Sequence, residues 1–301
     1  MTRHMCVVLA WVAGATVLPG RLAPDEDQRA VFSSKVEAVR IDALITDNGK
    51  TVRDLTAADF EISDNGVSQQ VDLISFDQIP LNVVMALDMS SSLTEDRLAQ
   101  LRAAGGMLVG SLEPNDQAAL ITFTEAVTQG AGLTADLRRL RAAIETAEPS
   151  EGTRSTALVD AVFSALLVAE SDVGRSLVVV FSDGVDTISW LRPEDVFEVA
   201  KRSDAIVYAV ATRHGGRSDF LVDLTDATGG SLFEVESTKD LGATFVAVLN
   251  EFRQRYLLSY TPRGVAKDGW HSVTVRLKGR NVKVKARPGY WADKWATPRR
   301  R

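Results

Sequence analysis

At 301 residues, 45% hydrophobic and 25% charged, the chain can bury a sizeable core and has the make-up of an ordinary globular protein. Its one cysteine, Cys6, lies near the amino terminus, which excludes disulfides and cysteine-ligated metals from the rest of the chain. The net charge of −6 is uneven: residues 263–301 carry 12 Lys+Arg against 2 Asp+Glu, whereas residues 25–262 carry 20 against 38, so the basic end is expected to fold on its own acidic body.

In chain order, Met1-Thr2-Arg3-His4 is followed by an apolar stretch from Met5 to Leu18 and then by Pro19-Gly20. A basic start, a short apolar run and small residues read as a secretory signal over residues 1–23. The run is shorter than the roughly 20 residues that cross a bilayer. Membrane attachment is therefore expected only through an uncleaved signal anchor, if at all, and the location is expected to be secreted or periplasmic.

Residues 33–78 read as strands. Val36 to Ile45 alternates apolar and polar positions before Asp47-Asn48-Gly49, Asp59 to Ser63 leads into the turn Asp64-Asn65-Gly66, and Val67 to Phe76 alternates again. From Leu81 the pattern changes to strands alternating with helices. Strands are expected at 82–87, 118–124, 176–182, 205–211 and 231–235, with helices near 94–111, 136–147, 157–170, 193–203, 219–227 and 238–252. Leu98, Leu101, Leu108, Val109 and Leu112 share a helix face, Pro193 suits a first turn, and Gly229-Gly230 ends a helix. After Tyr256 alternation returns in 256–260, 271–277 and 282–286.

The fold class expected is α/β: a doubly wound, mostly parallel sheet with helices on both faces, plus a small β-sandwich. The sandwich would join the flanking segments 33–78 and 255–290 around an inserted domain at 79–254, because neither fragment is large enough alone. Residues 291–301 are expected to form an exposed basic tail.

The most informative motif is Asp88-Met89-Ser90-Ser91-Ser92. It follows the buried strand 82–87, so Asp88, Ser90 and Ser92 gather at the carboxyl end of a central strand, where open α/β sheets bind ligands. One carboxylate and two hydroxyls form an oxygen-only cluster suited to Mg²⁺ or Mn²⁺. Three ligands leave an octahedron incomplete. Two further stretches offer oxygens: Val178-Val179-Val180-Phe181-Ser182-Asp183-Gly184-Val185-Asp186, and Glu151-Gly152-Thr153-Arg154-Ser155-Thr156 before a helix. Taken singly, Thr156 reads equally as a helix cap and Asp183 as a turn residue.

Together these loops resemble the von Willebrand factor type A family and its metal-ion-dependent adhesion site. Asp88-x-Ser90-x-Ser92 and Ser182-Asp183-Gly184 match two of its motifs, and Thr156-Ala157-Leu158 resembles its threonine loop, with Arg154-Ser155 replacing the usual glycine pair. The flanks, including Leu55 to Phe60 and Tyr256 to Pro262, resemble secreted bacterial proteins with this domain, of a type abundant in acidobacteria. The resemblance implies a Rossmann-like fold and a metal site of Asp88, Ser90, Ser92, Thr156 and Asp183, with Thr153 and Asp186 as secondary candidates. It also implies that an acidic group on a protein partner, a Glu or Asp carboxylate, takes the metal's open position.

Enzymatic signatures are missing. No Gly-x-x-x-x-Gly-Lys loop, His-Glu-x-x-His or Gly-x-Ser-x-Gly occurs, and His214 reads as a solvated loop residue. The chain is expected to be a non-enzymatic binding module with no small-molecule substrate and no nucleic-acid partner. The alternatives are a scaffold in which the ion only steadies the loops and, third, a metal-dependent hydrolase.

Overall fold

The structure, a computed structural model, describes residues 38–75, 79–90, 94–149, 155–171, 173–182, 186–213 and 218–292. The chain opens with five short strands, β1 (Val39–Asp47), β2 (Lys50–Thr51), β3 (Phe60–Asp64), β4 (Val67–Gln69) and β5 (Leu73–Ser75). An α/β region follows: β6 (Leu81–Asp88), α1 (Glu95–Gly110), β7 (Gln117–Phe123), β8 (Val127–Thr134), α2 (Leu137–Glu145), α3 (Leu158–Ala169), β9 (Arg175–Ser182), α4 (Pro193–Arg202), β10 (Ile206–Thr212), α5 (Asp219–Thr228), β11 (Leu232–Val235) and α6 (Leu241–Arg253). Four strands close the chain: β12 (Tyr256–Tyr260), β13 (Gly269–Leu277), β14 (Lys283–Lys285) and β15 (Gly289–Ala292).

The α/β region is one six-stranded sheet in the order β11-β10-β9-β6-β7-β8, parallel except for β8, which runs antiparallel to β7. Every residue of β6 and β9 is buried, which explains why both read as unbroken apolar runs rather than alternations. Leu81, Val83, Met85 and Leu87 of β6 point to a core built with α1, α2 and α6. Val84 and Ala86 point to the opposite core, built with α3, α4 and α5. Two helical layers thus cover both faces of the sheet.

The flanking strands form two further sheets, β14-β1-β12-β5 with β2 on β1, and β15-β13-β3-β4, all antiparallel. Ile41, Ala43 and Ile45 of β1, with Tyr256, Leu258 and Tyr260 of β12, share one core with Phe60 and Ile62 of β3 and Val273, Val275 and Leu277 of β13. Each sheet therefore draws strands from both ends of the chain, and the two face each other as a small sandwich.

Three details depart from the sequence reading. Residues 67–75 hold two strands rather than one: β4 pairs with β3 and β5 with β12, so the chain changes sheets between them. Strand β8 has no counterpart in the reading, because Gly130 and Gly132 make an exposed edge look like a loop. Trp291 and Ala292 are not tail; they belong to β15, where Trp291 pairs with Trp270 and the Arg202 guanidinium lies 4.6 Å from its ring centre. The remainder of that segment, and the whole of the signal-like stretch, lie outside the described residues.

Buried polar contacts join the sandwich to the α/β region. Arg175 Nε of β9 donates to Asp42 Oδ1 of β1 at 2.6 Å, with both residues less than a tenth exposed. Arg255, fully buried between α6 and β12, donates to Tyr208 Oη at 2.8 Å, to the Gly229 carbonyl at 2.7 Å and to the Asp42 carbonyl at 3.3 Å. Gly229 supplies that carbonyl from a left-handed turn (φ 79°) that caps α5, a conformation open to glycine at little cost.

Candidate functional site

Sheet register fixes the surroundings of Asp88. Leu87 pairs with Phe181 and Asp88 with Phe123, so the carboxyl ends of β9 and β7 flank the end of β6. Asp88 is the last residue of β6 and is 1% exposed. Its Oδ1 accepts from the Ser90 backbone N–H at 3.0 Å, and its Oδ2 accepts from the Ser182 hydroxyl at 2.7 Å. The first bond is a local turn within the motif; the second crosses to the neighbouring strand. Together they aim a buried carboxylate out of the strand end. Ser90 is itself buried at 3%.

The third segment arrives from the other side. Ala157 N–H donates to the Thr124 carbonyl just beyond β7 at 2.7 Å, which draws the start of α3 over the same sheet edge. Thr156 N–H donates to Thr187 Oγ1 at 2.8 Å, and Thr187 N–H returns a bond to the Thr156 carbonyl at 2.9 Å. Thr156 does not act as the cap of α3: Ala157 holds that position without a side-chain bond. Thr156 is 5% exposed.

Capping of α3 falls instead to the loop after β9. Asp186 Oδ1 accepts from the Val159 N–H at 3.1 Å and also from the Ser189 hydroxyl. Asp160, one turn into α3, accepts from the Trp190 and Leu191 N–H groups at 3.0 and 2.9 Å. Acidic side chains and the orphan N–H groups of a helix start satisfy each other here. Asp186, a secondary candidate from its place after the Ser-Asp-Gly stretch, is thus committed to holding the loop on α3.

Of the expected site residues, Asp88 ends β6 with Ser90 just beyond it, and Thr156 lies just before α3, next to the Ala157 that bonds to Thr124. Ser92, Asp183 and Thr153 lie outside the described residues. The sequence reading missed Ser182 as a partner of Asp88 and Thr187 as the brace of Thr156. Ser182 stood inside a motif already singled out; nothing in the spacing distinguished Thr187.

A family model for the von Willebrand factor type A domain matches residues 82–247. No curated protein matches the chain. Among solved structures, proximal thread matrix protein 1 from the mussel byssus aligns at 18% identity and TM-score 0.54, over 63% of this chain and 51% of that one. A second structure of that protein, with a zinc occupied MIDAS motif, aligns at 18% identity and TM-score 0.51, over 62% and 48%. A von Willebrand factor type A protein from Catenulispora acidiphila aligns at 12% identity and TM-score 0.49, over 78% and 74%. The chain spans about half the length of the mussel protein it matches. With the family model matching more than half of its residues and the expected mostly parallel sheet and helix layers in place, the chain belongs to the von Willebrand factor type A domain family.

Proposed function

We propose that the chain is a secreted or cell-envelope binding module, not an enzyme, which holds Mg²⁺ or Mn²⁺ at the end of β6 and recognises an acidic group on a protein partner. The observation that carries this reading is the Asp88 carboxylate, buried at the end of β6 and oriented by the Ser90 N–H just beyond that strand and by the Ser182 hydroxyl of β9. The donor set is all oxygen and poor in charge, which fits a hard divalent cation. Asp88, Ser90, Ser92, Thr156 and Asp183 would hold the ion, with Thr153 the rival to Thr156. The ion, when bound, would offer a partner's Glu or Asp carboxylate an open coordination position. The zinc occupied motif of the mussel protein is a precedent on the same fold.

A purely structural ion is the second reading, and the hydrogen bonds weigh against it. The start of α3 is tied to β7 by Ala157 and to the loop after β9 by Thr156, Val159 and Asp160, all through protein groups. Those contacts hold residues 156–160 to residues 186–191 and to Thr124 through protein groups. Location rests on the signal-like start of the sequence; among the described residues no helix is long and apolar enough to cross a membrane.

The test is titration calorimetry with Mg²⁺ and Mn²⁺ on wild type and Asp88→Ala. Saturable binding lost in the variant is the expected result. A folded wild type that takes up neither ion would overturn the metal reading. Partner capture that survives EDTA would overturn the adhesion reading even if the ion binds.

A further inference from the structure

Next to this cluster the loop after β9 displays a side chain that the proposed function does not use. Trp190 is 93% exposed, although its backbone is fixed by the bond to Asp160. A single exposed aromatic is common and decides nothing by itself; its setting is what matters. The indole borders an open cleft of about 390 Å³ whose apolar wall includes Ala126, Val127 and Phe163. Asp160 and Glu125 also line it, and among the described residues no Lys or Arg does.

We propose that this cleft receives an arginine side chain from the protein partner. Three features converge on that residue. The apolar wall suits the methylene stem of a long basic side chain. The Trp190 ring offers a face on which a planar cation stacks. Asp160 uses one hydrogen bond per oxygen on the loop, so its charge and remaining lone pairs stay available to a forked donor. A phosphate or carboxylate would be repelled by the same lining, and a purely apolar side chain would desolvate carboxylates without pairing them. Lysine lacks the plane and the fork.

Placement sets a spacing. Asp160 lies four residues along the chain from Thr156, two steps outside α3 and two at helical rise, so at most about 10 Å away. An extended peptide covers about 3.3 Å per residue. A carboxylate at the metal position and an arginine in the cleft would then stand no more than about three residues apart, a limit that Glu-x-Arg meets. That spacing rests on the metal-dependent reading; the cleft does not.

The experiment uses the full chain and three acetylated peptide amides: Gly-Glu-Gly-Arg-Gly, the same peptide with alanine in place of arginine, and the same with glutamine in place of glutamate. Each is titrated in Mg²⁺ and again in EDTA, by calorimetry and by the indole N–H resonance of Trp190, assigned from its loss in Trp190→Phe. The alanine peptide is expected to bind about tenfold more weakly than the parent. Trp190→Ala should cost the parent peptide a similar factor and the alanine peptide nothing, the coupling expected of a direct contact. Since Trp190 is exposed, Trp190→Ala should unfold at the wild-type temperature.

Equal affinity of the parent and alanine peptides, an undiminished parent affinity in Trp190→Ala, or a Trp190 resonance that no peptide moves would overturn the cleft. If Mg²⁺-dependent, glutamate-dependent binding persists in any of those cases, the metal reading stands alone. If arginine dependence survives EDTA unchanged and the glutamine peptide binds as well as the parent, the cleft stands and the metal reading falls.

Discussion

Asp88 depends on a hydroxyl from another strand, and that dependence can be measured. Ser182→Ala removes the donor to Asp88 Oδ2 while leaving the buried residue small enough to fit. Groups that orient metal ligands typically contribute about 10–100-fold in affinity. Calorimetry on Ser182→Ala should therefore show weaker Mg²⁺ binding by a factor in that range, with the fold intact by circular dichroism. Unchanged affinity would mean that β9 does not position the carboxylate. A second cluster sits in the sandwich. Asp64, fully buried, lies 2.7 Å from His271 Nδ1 and accepts from Tyr260 and Tyr290 hydroxyls at 2.8 and 2.9 Å. Burial, reinforced by the bonds to Asp64, pushes both phenols above their ordinary range. The folded state therefore keeps protons that the unfolded state releases. Stability from this source is complete below the unfolded phenol value of about 10 and is lost as pH rises beyond it. Urea midpoints should fall between about pH 10 and 11, and Tyr260→Phe, although less stable at pH 8, should fall less steeply. Parallel declines would remove the cluster as the cause. The place of Asp88 at the end of a buried strand was legible in the sequence because an unbroken apolar run leads into it. The partnerships of Ser182 and Asp64 were not, since they depend on strand register and on residues separated by 94 and 207 positions.

At the scale of elements, the link from α6 to β12 holds the most demanding residue. Arg255, which no sequence motif singles out, is fully buried and spends its guanidinium on Tyr208, the Gly229 carbonyl and the Asp42 carbonyl. These acceptors come from β10, the end of α5 and β1, so one side chain fastens three elements. Arg255→Met keeps most of the volume but leaves three buried acceptors short of a donor, at about 1–3 kcal/mol for each group left unpaired. Chemical denaturation should show a loss of at least about 3 kcal/mol, and Arg255→Lys should recover only part of it because an ammonium cannot reach the same fork. A loss below about 1 kcal/mol would mean the acceptors find other donors. The elements that were easy to read share a cause. Strands β6 and β9 are buried on both faces and so are continuously apolar, and α1 is marked by Leu98, Leu101, Leu108 and Val109 on its buried side. Strand β8 escaped because an edge strand with one exposed face tolerates glycine and carries no such signal.

At the scale of the whole molecule, two halves of a sandwich lie more than 180 residues apart in sequence and meet only because the α/β region brings its ends together. The sequence made this pairing legible through size: neither flank holds enough alternating strand to bury a face alone. Which strand would pair with which could not be read, because alternation marks a buried face and not its neighbour. The pairing found makes a sharp prediction for deletion of residues 263–301. Strand β13 pairs with β3 on one side and β15 on the other, so the deletion strips β3 of a partner and removes Val273, Val275 and Leu277 from the shared core. At about 1.5–3 kcal/mol for each buried side chain, those three alone amount to roughly 5–9 kcal/mol, comparable to the whole stability of a small domain. The amino-terminal strands should then be cut by protease far sooner than in the full chain, with cleavage concentrated within residues 38–75, while the six-stranded sheet with its two helical layers keeps cores that do not use these residues. Equal protection of 38–75 in the two proteins, read by limited proteolysis and mass spectrometry, would show that β1 and β3 are held by the α/β region and not by the returning strands.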